Sequence, residues 1–291
     1  FILSFFPLKR LIKNKSPEYL IIHLITSLPL ILLILFDFKT KFILRISGFP
    51  KLNIFRKILW KIAFKKIHLI TCPTRNTMEY IKKLNLVEPS KIKLLYDPII
   101  SIKEIHEKKK QTYIEYSDYY LSVGRLTKQK NFIFLCKSLK KIIENDKNIK
   151  LLIAGEGEDK DKISNYLKKN NLENNILLLG QVENIYPVFQ NSKGFILSSL
   201  WEDPGFVLVE AGICRTPVLS SDAWPGPIEI IKNEINGIIF KNNDENSFIE
   251  KFNYFTSIDS KRKLELNNLI NCRKFTLFNH YKKLNEILTE I

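Results

Sequence analysis

Acidic residues, cysteines and long apolar runs are all scarce in this sequence, and each scarcity removes a class of protein. Asp and Glu number 30 against 46 Lys and Arg, a formal net charge of +16. An excess of that sign points to an anionic partner: nucleic acid, acidic lipid headgroups or a phosphorylated small molecule. The competing reading is a Lys-, Ile- and Asn-rich composition with no particular partner. The four cysteines, Cys72, Cys136, Cys214 and Cys272, stand far apart and form no C-x-x-C pair. That spacing fits neither a disulfide framework nor a structural zinc site, and reduced thiols are expected.

The longest stretch without a formal charge is "YLIIHLITSLPLILLILF", Tyr19 to Phe36. It reaches only the lower edge of membrane-spanning length, about 20 residues. His23, Thr26, Ser27 and Pro29 interrupt it. It divides into a strand "YLIIHL", a helix start "TSLP" and a buried helix, which is the expected reading. Phosphate-binding glycine fingerprints are missing as well. "AGEGED" (Ala154 to Asp159) is followed by Lys160, so neither the Walker pattern nor G-x-G-x-x-G is present. No solenoid-period repeat or low-complexity tract occurs. The sequence opens at Phe1, directly in apolar residues, and is expected to start after the true beginning of its first domain.

What is present is a regular alternation. From Tyr119 onward, the apolar runs "YYLSVG", "IKLLIAGEG", "NILLLG", "GFILSS", "PVLSS" and "GIIF" are separated by helical segments. Such continuous apolar strands belong to a parallel sheet covered on both faces. Strands and helices alternating at this length make a doubly wound α/β domain. Upstream, "YLIIHL", "KFILRISG", "IHLITCPT" and "IKLLYDPI" read as strands of a second such sheet. The polar segment at about residues 106–118 reads as the linker. The expected domains are therefore residues 1–115 and 116–291, with a last amphipathic helix at about 275–291.

Ligands of open α/β sheets bind at the carboxyl ends of the strands. There Gly124 closes one strand, with Arg125 next and Lys130 five residues on. A guanidinium fork and a mobile ammonium suit a diphosphate, although a solvated basic turn has the same appearance. Gly155 closes the following strand, where a backbone can come close to a ligand. "SSLWEDPGFVLVEAG" (Ser198 to Gly212) carries two glutamates, Glu202 and Glu210, in otherwise apolar sequence. Glu202 lies in a loop, Glu210 inside the following helix, and the N-terminus of that helix is a ready anion site. A carboxylate accepts two hydrogen bonds at once and suits vicinal sugar hydroxyls. "DKD" at Asp159 to Asp161 reads as an acidic first helical turn, not a metal motif.

"GRLTKQKN", "LLIAGEGE", "ILLLGQVENI", "FILSSLWEDPGFVLVEAGICRTPVLSSDAWPGPIEII" and "NGIIF", in this order, resemble the donor-binding half of glycosyltransferase family 4. These are retaining enzymes of the GT-B fold that use nucleotide-activated sugars. The resemblance runs through about residues 119–240 and, more faintly, back to Glu18. It implies two doubly wound Rossmann-like domains facing across a cleft, the first incomplete. It further implies that Glu202 lies by the donor sugar as a catalytic residue. Arg125 and Lys130 would grip the diphosphate, and Glu210 would hold the ribose hydroxyls. The backbone at Gly205, Phe206 and Val207 would lie under sugar and phosphate. Gln181 to Asn184 would lie beside the nucleobase, with Gly155 also at the donor. Two departures stand out. The family often has Glu-Gly-Phe-Gly where this chain has Glu202-Asp203-Pro204-Gly205. Many members carry a donor-contacting His near the end of the strand matching "KFILRISG", where this chain has Ser47 and Gly48, with Arg45 nearby.

In such a transfer the leaving diphosphate gains negative charge, which Arg, Lys and a helix N-terminus stabilise. No metal or other cofactor is then expected. The expected partners are a nucleotide-sugar donor and a glycan or lipid-linked acceptor for cell-surface polysaccharide or glycolipid. Peripheral contact with an anionic membrane would come through "LKRLIKNK" and "FPKLNIFRKILWKIAFKKIH", as for interfacial helices. The expected location is cytoplasmic, at the inner membrane face. Other readings are a GT-B-type epimerase or phosphorylase and a non-catalytic basic binding protein. No nucleic-acid-binding module is recognisable.

Overall fold

The computed structural model describes residues 2–23, 27–50, 52–110 and 115–290. The helix start expected at Thr26 and the middle of the expected linker, residues 111–114, lie outside them. The chain forms two compact units: Phe1–Asp97 together with Lys282–Ile291, and Pro98–Tyr281.

The first unit contains α1 (Phe5–Lys15), β1 (Tyr19–Ile22), α2 (Ser27–Leu35), β2 (Lys41–Arg45), α3 (Ile54–Lys66), β3 (Leu69–Cys72), α4 (Arg75–Lys83) and β4 (Ile92–Leu94). Its four strands are parallel, in the order β1-β2-β3-β4. The apolar strand sequences are explained by burial on both faces. Phe42 and Leu44 pack with Leu30, Trp60 and Phe64, while Ile43 and Leu69 pack with Leu95 and Ile287. Asn53 and Thr74 cap α3 and α4 by accepting from the Arg56 and Thr77 amides, the usual use of such residues at a helix start.

At the carboxyl end of β2, Arg45 donates to both oxygens of Asp97, from Nε to Oδ1 at 2.8 Å and from Nη2 to Oδ2. Its Nη1 also reaches Ser47 Oγ at 3.2 Å. Both partners are largely buried. A bidentate pair of this kind fixes a strand end in one geometry.

The second unit contains α5 (Ile102–Lys109), β5 (Tyr120–Val123), α6 (Phe132–Asn145), β6 (Leu151–Ala154), α7 (Lys160–Lys169), β7 (Ile176–Gly180), α8 (Tyr186–Asn191), β8 (Gly194–Leu197), β9 (Trp201–Glu202), α9 (Phe206–Ile213), β10 (Val218–Ser221), β11 (Trp224–Pro225), α10 (Pro227–Ile230), β12 (Ile238–Phe240), α11 (Glu245–Ser257) and α12 (Arg262–Cys272). Its six-stranded sheet is parallel, in the order β12-β10-β8-β5-β6-β7. The order reverses at β5, because β6 and β7 lie to one side and β8, β10 and β12 to the other. That is the topological switch point at which such sheets bind ligands.

Two readings change here. The polar segment read as a linker from residue 106 begins inside helix α5. That helix is fastened to the second unit by Lys109 Nζ, which donates to the Ile213 carbonyl at 2.9 Å. The compact units therefore divide at Asp97/Pro98 and not near residue 115. Helix α13 (Leu277–Thr289) takes the place of the expected last helix. Its residues from Lys282 belong with the first unit, where Ile287 is buried. All four cysteines are buried thiols. Burial pushes Cys136, Cys214 and Cys272 up to about 12, so none of those three is a thiolate nucleophile at neutral pH.

Candidate active site

The carboxyl ends of β5, β6, β8 and β10 converge on the loops that carry the residues of interest. Gly124 and Gly155 end β5 and β6 with φ of +154° and +144°. A Cβ on Gly155 would stand 2.0 Å from the Gly124 carbonyl oxygen. The Gly155 amide donates to the Gly180 carbonyl at 2.7 Å. The missing side chain of Gly155 thus makes room for a neighbouring strand end, and its amide is used within the sheet.

Lys130 is placed by the turn after β5, where its amide donates to the Thr127 carbonyl. Its own carbonyl accepts from Ser198 Oγ at 2.9 Å. On the other side, the Leu200 amide donates to the Gln129 carbonyl and Gln129 Nε2 to the Trp201 carbonyl. The two loops, 72 positions apart in sequence, are therefore sewn together. Between them Lys130 Nζ meets Glu202 Oε1 at 2.5 Å, and Ser199 Oγ donates to the same oxygen at 2.6 Å. The side chains are 13% and 7% exposed. Such an ion pair is little screened, and each partner depends on the other.

Glu202 is presented by a two-residue ribbon, in which β9 pairs with β11 and Trp201 and Glu202 face Trp224 and Pro225. The Gly226 amide donates to the Glu202 carbonyl at 3.0 Å. A Cβ on Gly226 would lie 2.0 Å from the Pro204 carbonyl oxygen, so only glycine fits that crossing. The peptides before Pro204 and Pro225 are cis.

Helix α9 begins at Phe206, after Gly205 in a left-handed conformation with φ +86° and ψ +60°. A helix leaves its first amides without intrahelical partners. The Leu208 amide turns back to the Gly205 carbonyl, and the amides of Phe206 and Val207 precede it in the first turn. Glu210, one turn further on, is partly buried. Its carboxyl makes no hydrogen bond or ion pair among the described residues. Burial raises its proton affinity, and the Lys130 charge opposes that rise.

A carboxyl whose folded-state pKa is raised binds more protons folded than unfolded, so its contribution to stability falls as pH rises through that window. Glu210→Gln is accordingly expected to stabilise the ligand-free chain at neutral pH and to flatten the loss of stability between weakly acidic and neutral pH. Urea midpoints measured across that range check both effects.

Arg125 is exposed, and its guanidinium has no hydrogen-bond or ion-pair partner among the described residues. Gln181 is likewise exposed at the end of β7. Asn184 Nδ2 donates to the Lys108 carbonyl at 2.8 Å, so its side chain fastens helix α5 to the segment after β7. The residues that sequence reasoning passed over are Ser199 and Gln129. Nothing local marks them, because each gains its role from a contact across the two loops.

Among the described residues, this part of the second unit offers the first-turn amides of α9, an unpaired guanidinium on Arg125, a carboxyl without a partner on Glu210 and a buried Lys130–Glu202 pair. Residues 103–268 match the family model described as glycosyl transferases group 1. An uncharacterised glycosyltransferase of Methanocaldococcus jannaschii is 31% identical over 247 residues, 78% of this chain and 61% of that protein. The N-acetylgalactosamine-N,N'-diacetylbacillosaminyl-diphospho-undecaprenol 4-alpha-N-acetylgalactosaminyltransferase of Campylobacter jejuni is 28% identical, over 72% of this chain and 57% of its own. The chain therefore spans less than two thirds of the length of these relatives. Among solved structures, a glycosyltransferase from Rickettsia africae superposes with a TM-score of 0.82 at 16% identity, covering 99% of this chain and 80% of that one. An Anabaena protein solved with UDP superposes with a TM-score of 0.79 at 17% identity, covering 98% and 82%. These likenesses give the fold as GT-B, and with the family match they make the chain a member of the glycosyl transferases group 1.

Proposed function

We propose that this chain moves a hexose-type sugar from a nucleoside-diphosphate sugar to a glycan or lipid-linked acceptor, with retention at the anomeric carbon. The observation that carries the reading is the buried Lys130–Glu202 pair, whose ammonium acts on Glu210, a carboxyl of α9 without a partner among the described residues. In this reading Glu210 accepts from the ribose hydroxyls, which removes the penalty of a buried carboxyl without a partner. The Phe206 and Val207 amides and Arg125 receive the diphosphate. Lys130 then stabilises the charge that grows on the leaving group, most strongly in the transition state. Glu202 fixes the Lys130 ammonium and faces the donor sugar. The positive field comes from these groups, so a metal is not required.

The acceptor class is supported by the names of relatives. The Campylobacter protein's name specifies a diphospho-undecaprenol acceptor, and a relative from Escherichia coli is named for galactosyl transfer to GlcNAc-diphosphoundecaprenol. The test is incubation with UDP- and GDP-sugars and a polyprenyl-diphosphate-linked sugar, reading the product's anomeric coupling by NMR. An α-linked product from an α-linked donor supports the reading. Inversion would refute retention, and an epimerised donor formed without acceptor would favour the epimerase.

Contact with an anionic membrane belongs to the same proposal. Helix α3 buries Trp60, Ala63 and Phe64 in the first unit, yet it leaves Ile54 at 77% exposure, Phe55 at 84%, Ile58 at 53% and Ile62 at 47%. These four share one face, and Lys57, Lys61 and Lys65 follow its border one turn apart. Apolar residues edged by lysines suit the headgroup region of an acidic bilayer. Among the described residues no helix is long and apolar enough to cross a membrane. Co-sedimentation with phosphatidylglycerol vesicles is expected, with Phe55→Ser/Ile58→Ser reducing the bound fraction at least tenfold. Equal binding by that variant would remove α3 from the account.

A further inference from the structure

We propose that the second unit carries an additional anion site, separate from the donor site, which takes the phosphate or diphosphate group of a small molecule. A cavity of about 580 Å³ lies among α5, α9 and α12. Its wall carries His106 and Lys109 from α5, Arg215 after α9, and Arg273 after α12. Among the described residues no Asp or Glu lines it. That imbalance exceeds the overall excess of 46 basic over 30 acidic residues, because elsewhere many lysines sit against acids. On α5 itself Lys108 and Lys110 pair with Glu104 and Glu107, while Lys109 between them does not.

The donors are positioned and available. Arg215 and Arg273 are exposed, and among the described residues neither guanidinium makes a hydrogen bond or an ion pair. Glu265 on α12 is near enough for Arg215 to act on its charge, yet the two form no ion pair among the described residues. Lys109 Nζ spends one donor on the Ile213 carbonyl at 2.9 Å. This satisfies a carbonyl at the C-terminal end of α9, which would otherwise repel an anion, and leaves the ammonium two further donors. Two guanidinium forks and an ammonium on the wall of one cavity supply the donor types that phosphate oxygens accept from. Ile102, Ile105, Ile213, Cys214 and Leu269 form the apolar part of the wall, so the group bound need not be a bare ion. The site is distinct from the donor site because it lies at the Ile213 end of α9, whereas the donor amides are at its Phe206 end.

The test is calorimetric titration of inorganic pyrophosphate into the full chain, into Arg215→Gln/Arg273→Gln, and into Arg125→Gln. The expected result is a binding event that the double variant weakens at least tenfold and Arg125→Gln leaves in place. Both replaced side chains are exposed and make no hydrogen bond or ion pair among the described residues, so an unchanged melting curve should accompany the loss. Pyrophosphate binding that is unchanged in the double variant, or lost only with Arg125→Gln, would overturn the proposal. So would a wild-type chain with no binding event. Replacing pyrophosphate by sulfate separates a phosphate site from a nonspecific basic surface, since equal affinity for both ions at matched ionic strength would also overturn it.

Discussion

Replacing Lys130 with methionine should destabilise the second unit by about 3–5 kcal/mol, the usual consequence of removing one partner of a buried ion pair. The reason lies in the surroundings of Glu202. Its carboxylate is buried at 7% exposure, and the two donors to it are Lys130 Nζ and Ser199 Oγ, both on Oε1. Without the ammonium, Ser199 alone faces a charge in a poorly solvated place. Methionine keeps most of the lysine's volume, so the change isolates charge from packing. Lys130→Met/Glu202→Gln should recover more than half of the loss, because it removes the stranded charge as well. Urea unfolding followed through the second unit's signal measures both. A single variant as stable as the parent would show that the pair is not a structural element of the site.

Arg125→Ala is the complementary case, with a large kinetic effect and a small effect on stability. The guanidinium is exposed and touches no partner among the described residues, so its loss leaves the folded chain intact. If it faces the leaving diphosphate, removing it should lower kcat for nucleotide release by about 10²–10³-fold, the range for one preorganised charge or hydrogen-bond donor. Nucleotide release from the donor is the quantity to follow, with the melting temperature as control. A drop confined to KM would place Arg125 in ground-state binding. No change in either constant would take it out of the site.

Much of this architecture was legible because parallel strands buried on both faces write themselves as apolar runs. "YLSV", "LLIA", "GFIL" and "VLSS" became β5, β6, β8 and β10, and their carboxyl ends pointed to Arg125, Lys130, Glu202 and Glu210. The helices α11 and α12 were not read, although Phe248, Phe252 and Phe255 recur at helical spacing and Asp244 caps the first of them. Their polar interiors, rich in Asn, Lys and Glu, carry a weaker signal than the strands do. The second half of helix α5, from His106, reads as linker because Ile105 is the one buried residue of that helix. It is held by the bonds of Lys109 and Asn184, which local sequence does not reveal. The Lys130–Glu202 pair and the Gly155–Gly124 crossing failed to show for a related reason. Each depends on two strand ends meeting in space, and no pattern along the chain encodes that meeting.

The central claim is that the second unit binds a nucleoside diphosphate through Arg125, Glu210 and the first turn of α9. The most direct test is calorimetry with UDP, GDP, ADP and CMP on the chain, Arg125→Ala and Glu210→Ala. One diphosphate should bind selectively, and each substitution should weaken it about 10–100-fold, as for hydrogen bonds to charged groups. A folded chain that binds none of the four, or binds one equally well in both variants, would contradict the account.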